Sequence, residues 1–416
     1  MKKLISILLS TITLTGCSSD KSSVALEREK NPKSFEDWCL EKSTLPEDTR
    51  ITIELLLKKV ETQDCKKANR KLNELTRLQL SSYNQADTNK IGDLKVLSSL
   101  TNLRKLDIFR FKLGNKHLRQ ISSLTHLTKL GLFENQINDI KPLSNLTNLR
   151  ELFIGNDKIS DIKPLSNLTN LKDLRLYGTQ ISDIKPISNL TNLTSLMLRE
   201  CNINDIKPVS NLTNLTSLSL GKNKISDIEP VSNLTNLTSL SLGKNKISDI
   251  EPVSNLTNLT FLGLGENKIT DIRPVSNLTN LAFLSLDENN ISDIKPLFGL
   301  TNLNFLVISD NQISDIRPLS NLTKLTRLFL IKNKISDVKP LSNLINLDIL
   351  FLEENKISDV KPLSSLISVR YIDIKVNKIS DVKSLSSLTN LNELNLAGNP
   401  IKDKTCPVQP DSICKF

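Results

Sequence analysis

Residues 212–233 read LTNLTSLSLGKNKISDIEPVSN, and residues 234–255 repeat them without change. Outward from this duplicated segment, a Leu-x-Leu pair or a close variant recurs every 22 residues from Leu130 to Leu394. Two earlier pairs begin at Leu78 and Leu106, with spacings of 28 and 24 residues to the next pair. Self-similarity at a fixed period is typical of a solenoid, and this one predicts about fifteen turns.

Each position of the repeat has a predicted role. Leu218-Ser219-Leu220 alternates apolar and polar residues, which indicates a half-buried strand, and successive turns would stack these strands in parallel. Asn223 recurs in most turns, where its amide can bond to the backbone of its own turn and of the next. Asp227 and its eleven counterparts from Asp139 to Asp381 are predicted to cap a short 3₁₀ turn, and a proline helps to fix the backbone of that turn.

The predicted asparagine ladder is interrupted in three successive turns. Asp157, Thr179 and Cys201 occupy the positions where the other turns carry Asn. These side chains cannot reproduce all the hydrogen bonds of an amide, so the ladder is predicted to be weaker there. We interpret Cys201 as a substitute within the ladder and not as a nucleophile.

The repeat Leu-x-x-Leu-x-x-Leu-x-Leu-x-x-Asn-x-Ile is the leucine-rich-repeat pattern, and its Ile-Ser-Asp-Ile-x-Pro form resembles the bacterial internalin family over residues 72–402. The resemblance implies an α/β solenoid, built as a right-handed horseshoe with a parallel concave β-sheet and 3₁₀ turns on the convex side. The sequence differs from the best-known internalins because it has a lipobox in place of a Leu-Pro-x-Thr-Gly wall anchor. It also carries no immunoglobulin-like module after the repeats. These differences remove the expectation of host-cell invasion but leave ligand binding in place.

The N-terminus is predicted to be an export signal. Lys2 and Lys3 precede an apolar run over residues 4–14, which is too short for a transmembrane helix but typical of a signal peptide. The run ends in Leu14-Thr15-Gly16-Cys17, which resembles the bacterial lipobox. We therefore predict a lipoprotein with a signal peptide at 1–16, a lipidated Cys17 and a flexible tether at 17–33. Its location would be extracytoplasmic, on the bacterial cell envelope, at the outer membrane or cell surface. An ordinary signal peptide that happens to contain a cysteine is the alternative.

The open ends of a solenoid need covers. Residues 34–71 combine Phe35 and Trp38 with further apolar residues, which indicates a helical N-terminal cap, and residues 403–416 are predicted to form a C-terminal cap loop. Exported proteins meet an oxidising environment, so Cys39 is predicted to pair with Cys65, and Cys406 with Cys414. Free thiols are the alternative.

Aromatic residues concentrate on the predicted concave face. Ten of the 16 aromatic residues occupy outward strand positions: Phe109, Phe133, Phe153, Tyr177, Phe261, Phe283, Phe305, Phe329, Phe351 and Tyr371. Exposed apolar stripes usually mark protein contacts, so these residues predict a partner-binding face. The small residues of the middle turns would separate two contact patches. The alternative is that neighbouring rings only shield one another across strands.

The formal net charge of +10 raises the question of nucleic acid. The concave positions carry ten basic and thirteen acidic residues from the strand at Leu106 onward, so the charge excess lies elsewhere. It lies on the outer flank, at Lys158, Lys163, Lys224, Lys246, Lys334, Lys339, Lys356 and Lys361, which alternate with the Asp row. A solvated flank is the favoured interpretation, and a site for anionic lipid or polysaccharide is the alternative. No aromatic-interleaved basic groove predicts nucleic-acid binding.

Catalytic chemistry finds little support in the sequence. There are only two histidines, and we identify no nucleophile with a base, no metal constellation and no phosphate loop, so no cofactor is predicted. The first hypothesis is a non-enzymatic, monomeric, lipid-anchored protein that binds an unidentified protein on its concave face. The second is a structural envelope protein that holds polysaccharide or anionic lipid on its basic flank. An enzyme is the third.

Overall fold

A computed structural model of the protein describes residues 33–82 and 91–416. These residues form one parallel sheet of 16 strands, in which every strand pairs with the strands before and after it in the chain. The strands are β1 Arg77–Ser81, β2 Lys105–Phe109, β3 Lys129–Phe133, β4 Glu151–Gly155, β5 Asp173–Tyr177, β6 Ser195–Arg199, β7 Ser217–Ser219, β8 Ser239–Ser241, β9 Phe261–Gly263, β10 Phe283–Ser285, β11 Phe305–Val307, β12 Arg327–Phe329, β13 Ile349–Phe351, β14 Tyr371–Asp373, β15 Glu393–Asn395 and β16 Cys414–Lys415. The predicted leucine-rich-repeat solenoid is confirmed.

The strand register aligns equivalent repeat positions. Leu218 lies opposite Leu196 on one side and Leu240 on the other, so each column of the sheet holds a single repeat position. The inward leucines are buried, and the isoleucines and valines of the turns join them in one continuous core. A repeated turn cannot bury its apolar side alone, so stacking supplies the stability.

Short 3₁₀ helices return the chain on the side opposite the strands. In the turn that follows β7, Asp227 accepts a 2.8 Å hydrogen bond from the backbone amide of Glu229, and Pro230 is the second residue of the 3₁₀ helix. All twelve members of the Asp row accept the equivalent bond. The Asp precedes the first 3₁₀ residue by two positions, so its carboxylate satisfies the first amide of the turn, while the N-cap position itself is occupied by Ile228 and not by Asp as predicted.

The N-terminal region is helical, as predicted. It comprises α1 Phe35–Leu40, α2 Glu47–Lys59 and α3 Cys65–Asn73, with a 3₁₀ turn at Lys42–Thr44. Phe35 and Leu56 are fully buried in the same core as the first repeats, and a disulfide joins Cys39 in α1 to Cys65 in α3. The longer early repeats contain a 3₁₀ helix at Leu94–Ser99 and α4 at Asn115–Ile121.

The C-terminal segment, predicted to be a cap loop, also contains the last strand of the sheet. Cys406 and Cys414 are joined by the second disulfide, and a 3₁₀ turn at Asp411–Ile413 leads into β16. This strand pairs with β15 and places Cys414 opposite Leu394. An unpaired edge strand would invite another chain, so the segment covers the end of the sheet.

Across the part of the chain that the structure describes, no helix is long and apolar enough to cross a bilayer. The predicted signal peptide, the lipidated Cys17 and most of the tether lie outside the described residues.

Candidate functional site

Five phenylalanines form a continuous aromatic band on the outward face of the sheet. Adjacent ring centroids are 4.4, 5.0, 5.2 and 4.9 Å apart along the band, and all five side chains are half-buried. The members are Phe261, Phe283, Phe305, Phe329 and Phe351, on β9 to β13. Stacked and edge-to-face pairs at these distances are the arrangements that aromatic rings prefer. The band is therefore one continuous surface of rings in contact.

The band shifts from one column of the sheet to another between β11 and β12. Phe305 lies directly opposite Arg327, so the next ring in contact is Phe329, one outward position further along its strand. The guanidinium of Arg327 lies 5.6 Å from the centroid of the Phe305 ring, which is within cation–π range. Tyr371 on β14 lies opposite Ile349, in the column of the sheet that contains Phe305 and Arg327, and is one strand beyond the last ring of the band.

The early aromatic residues are arranged differently. The rings of Phe133 and Tyr177 stack at 6.4 Å across Gly155, which lies between them in the sheet. A Cβ at Gly155 would come within 2.5 Å of the Phe133 ring, so only glycine permits this contact. Phe153 lies between two cations, with Lys129 and Arg175 at 4.4 and 4.7 Å from its centroid. The half-buried Phe109 ends β2.

The early strands balance their charges internally. Four ion pairs span or flank this patch: Arg77–Asp107 at 3.1 Å, Arg110–Glu134 at 2.6 Å, Lys129–Glu151 at 3.0 Å and Arg175–Asp173 at 2.7 Å. A hydrogen bond to Glu200 raises the pKa of the Tyr177 phenol. The predicted plain stretch on β7 and β8 consists of Ser217, Ser219, Ser239 and Ser241. The structure thus brings the later aromatic residues together and leaves the early ones in a smaller, polar patch.

The asparagine ladder runs along the end of the strands and holds adjacent turns together. Asn311 accepts a 2.9 Å hydrogen bond from the Ile291 amide and donates to the carbonyls of Leu286 and Ser309 at 2.9 Å. The side chain therefore satisfies backbone groups in its own turn and in the turn before it. Asn311 is 8% exposed, so water cannot easily replace these bonds.

The ladder is interrupted at the three predicted positions. Asp157 accepts a 2.8 Å bond from the Ile137 amide, but its second oxygen is buried with no hydrogen-bond partner among the described residues. Burial raises the pKa of Asp157 to about 6. Thr179 and Cys201 contact each other, with 3.1 Å between oxygen and sulfur. Burial also raises the pKa of the Cys201 thiol, which keeps it protonated.

Two features of the face are not evident from the sequence of a single repeat. The first is the set of cation–π contacts of Lys129, Arg175 and Arg327, which depend on which residues lie near one another in adjacent strands. Aligning successive repeats would have shown these residues close to the aromatic positions. The second feature is a row of left-handed backbone positions, one after most strands, occupied chiefly by charged residues such as Glu288 with φ 50° and Glu354 with φ 52°. Such positions normally favour glycine.

Comparisons with known proteins agree with this architecture. A family model described as "Leucine Rich repeats (2 copies)" matches seven overlapping or adjacent segments between residues 125 and 343. An internalin (inlF) from Listeria monocytogenes is 37% identical, with a TM-score of 0.70, and the match covers 80% of this chain and 98% of that one. A leucine-rich-repeat protein of Leptospira interrogans is 27% identical, with a TM-score of 0.68, 79% of this chain covered and 96% of the other.

The plant peptide hormone receptor RGFR1, solved in complex with RGF2, is 25% identical with a TM-score of 0.63. The match covers 73% of this chain and 53% of the receptor chain. A comparison with curated proteins found no match.

Proposed function

The chain belongs to the internalin-like family of leucine-rich-repeat proteins, and on this premise we propose that it binds a protein partner through the outward face of its sheet. The observation that carries the proposal is the aromatic band, five phenylalanine rings in contact on five successive strands. The inward leucines already form the core, so the rings are not needed to fill it. Aromatic residues on an accessible face are the side chains that most often dominate protein interfaces.

The comparisons support binding in general terms. RGFR1 shares the fold at 25% identity and was solved in complex with RGF2, so this architecture can present a ligand-binding surface. The ten predicted contact residues remain a proposal, and the five of the band are its centre. The early patch is the weaker part because a single ring contact, between Phe133 and Tyr177, joins its aromatic residues in the described part of the chain.

Replacing Phe305, Phe329 and Phe351 together with serine is expected to abolish partner capture. The three rings run from the middle of the band to its end, and each truncation removes apolar contact area. The measurement is a pull-down of envelope and extracellular proteins with purified wild-type and variant protein. Far-ultraviolet circular dichroism checks that the fold is unchanged.

A matched control lies on the opposite side of the solenoid. Phe298, Ile345 and Ile367 are 54%, 51% and 59% exposed, at positions where other turns carry Ser or Thr. The triple variant Phe298→Ser, Ile345→Thr and Ile367→Thr removes comparable apolar surface away from the band. Partner capture by this control should equal that of the wild type. Unchanged capture by the Phe variant would overturn the assignment of the band.

We propose that the protein is a lipoprotein held at the bacterial envelope by Cys17, outside the cytoplasm. The lipobox-like Leu14-Thr15-Gly16-Cys17 supports the anchor, and the two disulfides suit an oxidising compartment. Cys17→Ala is expected to move the protein from the membrane fraction to the soluble fraction and to prevent incorporation of labelled fatty acid. A variant that stays in the membrane fraction would contradict lipid anchoring.

We infer that the protein is not an enzyme. His117 accepts a 3.1 Å hydrogen bond from the Gly114 amide and so begins α4, and burial lowers the pKa of both His117 and His126. Among the described cysteines, the one outside a disulfide is the buried Cys201. His117 and Cys201 thus have structural roles, and the protein is proposed to act as a monomer without a cofactor or metal.

The second candidate function uses the exposed lysines of the outer flank to hold polysaccharide or anionic lipid. These lysines, Lys224 and Lys246 among them, are exposed beside the Asp row, whose carboxylates partly offset their charge. Binding to an anionic polysaccharide that is lost at high salt and unaffected by the Phe305, Phe329 and Phe351 variant would favour this function over the first.

A further inference from the structure

An acidic row runs beside the aromatic band, where the strands β9 to β13 end. Its six carboxylates occupy the two outward-facing positions that follow each inward leucine pair: Glu266, Asp287, Glu288, Asp310, Glu353 and Glu354. The outward-facing positions of these five turns also hold two basic residues, Arg327 and Lys332, so these positions together have a formal charge of −4. The equivalent positions of β6 to β8 hold three basic residues and one acidic residue. The negative charge is therefore local to the band.

The acidic row is only partly neutralised within the molecule. Three of its carboxylates form ion pairs: Glu266 with Lys244 at 2.6 Å, Asp310 with Lys332 at 3.8 Å and Glu353 with Lys375 at 2.8 Å. Glu288 and Glu354, in contrast, are exposed and form no ion pair with any residue that the structure describes. Carboxylate oxygens of Glu266, Asp287 and Glu288 lie within 4.8 Å of one another. Carboxylates at this distance repel one another, and a positively charged group of a partner would reduce that repulsion.

Four residues of the acidic row have a left-handed backbone conformation, which normally favours glycine. Glu288 and Glu354 have left-handed φ values of 50° and 52°, and two equivalent positions in other turns are occupied by Gly178 and Gly398. A non-glycine residue in this conformation costs roughly 1 kcal/mol. The same left-handed position holds lysine in other turns, such as Lys222 and Lys244, so the charge there is general, and its acidic sign in four of the five turns is what distinguishes β9 to β13.

The band and the acidic row together define the chemistry of an occupant. We propose that they bind a basic amphipathic segment of the partner protein, with its apolar stripe on the phenylalanines and its lysines or arginines along the acidic row. This inference rests on the proposed function and deepens it. Opposite charges would orient the segment and speed its association, and an acidic segment would be repelled.

The spacing of the rings favours a helical segment. Their centroids are 4.4–5.2 Å apart along the band. Apolar side chains on one face of an α-helix repeat about every 5.4 Å, whereas those on one face of an extended strand repeat about every 6.8 Å. A helix that crosses the strands can therefore present one apolar contact to each ring.

The probe is a labelled Leu/Lys amphipathic helical peptide, compared with a Leu/Glu peptide that keeps the same leucines. Fluorescence anisotropy with the purified protein should show binding of the Leu/Lys peptide, weakened by salt, and no binding of the Leu/Glu peptide. The double variant Glu288→Gly and Glu354→Gly should raise the Kd of the Leu/Lys peptide about fivefold, the sum expected of two exposed ion pairs. Glycine suits the left-handed backbone, so these variants should fold.

The matched control removes two carboxylates from the opposite side. Glu229 and Glu251 are exposed in the 3₁₀ turns, and Glu229→Gln with Glu251→Gln should leave the Kd unchanged. Three results would each refute the proposal that the partner presents a basic segment. They are equal affinity for both peptides, no binding of the Leu/Lys peptide, and an unchanged Kd in the glycine variant. If the Phe305, Phe329 and Phe351 variant alone lost the peptide, the proposed function would stand without this chemistry. If that variant bound as the wild type does, the band itself would be refuted.

Discussion

Replacing Asn311 with alanine is expected to lower the free energy of unfolding of the surrounding turns by about 4 kcal/mol. The change leaves the buried Ile291 amide without an acceptor and removes the donor to the carbonyls of Leu286 and Ser309. Long repeat arrays need not unfold in one step, so the measurement is local opening by amide hydrogen exchange, supported by urea denaturation.

Asn290 provides the control for this ladder variant. It lies next to the ladder residue Asn289 in the preceding turn, and its side chain is exposed. Asn290→Ala makes the same chemical change without disturbing a ladder bond, so its free energy of unfolding should match the wild type. Equal stability of the two variants would show that the ladder does not hold the turns together.

The opposite result is expected at Asp157. Asp157→Asn should raise the free energy of unfolding by about 3 kcal/mol at neutral pH, because a pKa of about 6 in place of 3.8 corresponds to roughly that cost of ionisation. In the ladder register, the amide nitrogen of the substituted side chain would take the position of the partnerless carboxylate oxygen and could donate to neighbouring carbonyls, as Asn311 does.

The pH dependence tests the cause. The folded pKa of Asp157 lies above the unfolded value, so the folded state keeps this proton to higher pH, and the stability of the wild type relative to Asp157→Asn should fall as the pH rises from about 4 to about 6. At about pH 4 the protonated Asp157 resembles asparagine, and the gain from Asp157→Asn should be small. Denaturation of both proteins across this range gives the comparison.

A reverse substitution completes the test. Asn333 is 8% exposed in an intact part of the ladder, where its amide donates to the Ile308 carbonyl at 3.0 Å. Asn333→Asp should lose stability at neutral pH and recover most of it in acid. A loss that does not depend on pH would mean that shape, and not ionisation, decides the cost.

Most of the fold was predictable because every turn repeats the same pattern of apolar residues, asparagine, aspartate and proline. The 22-residue period, the alternation in Leu218-Ser219-Leu220 and the fixed proline each supplied a local constraint, and the structure confirms the solenoid, the 3₁₀ turns and the helical cap. The exceptions lie where the repeat stops. The strand at Cys414–Lys415 was not predicted because its two residues pair through the backbone with β15 and follow no side-chain pattern.

The aromatic residues of the candidate site could be named from the sequence, but their grouping could not. Phe305 and Phe329 occupy different positions of their repeats, and only the diagonal contact between β11 and β12 joins the two columns into one band. Gly155 carried no signal of its own, because its function depends on the Phe133 ring that lies across it.

The architecture follows from the amino-acid sequence alone, since a 22-residue period can bury its leucines only by stacking turns in register. The positions where the asparagine ladder is interrupted follow from it too. What these features do emerges only in the folded chain: which rings touch, which charges are paired and that Asp157 is left with an oxygen without a partner among the described residues. The physical reason is that each turn by itself specifies the period and its inward apolar positions, whereas ring contacts, ion pairs and ladder bonds depend on which residues lie opposite one another in neighbouring turns.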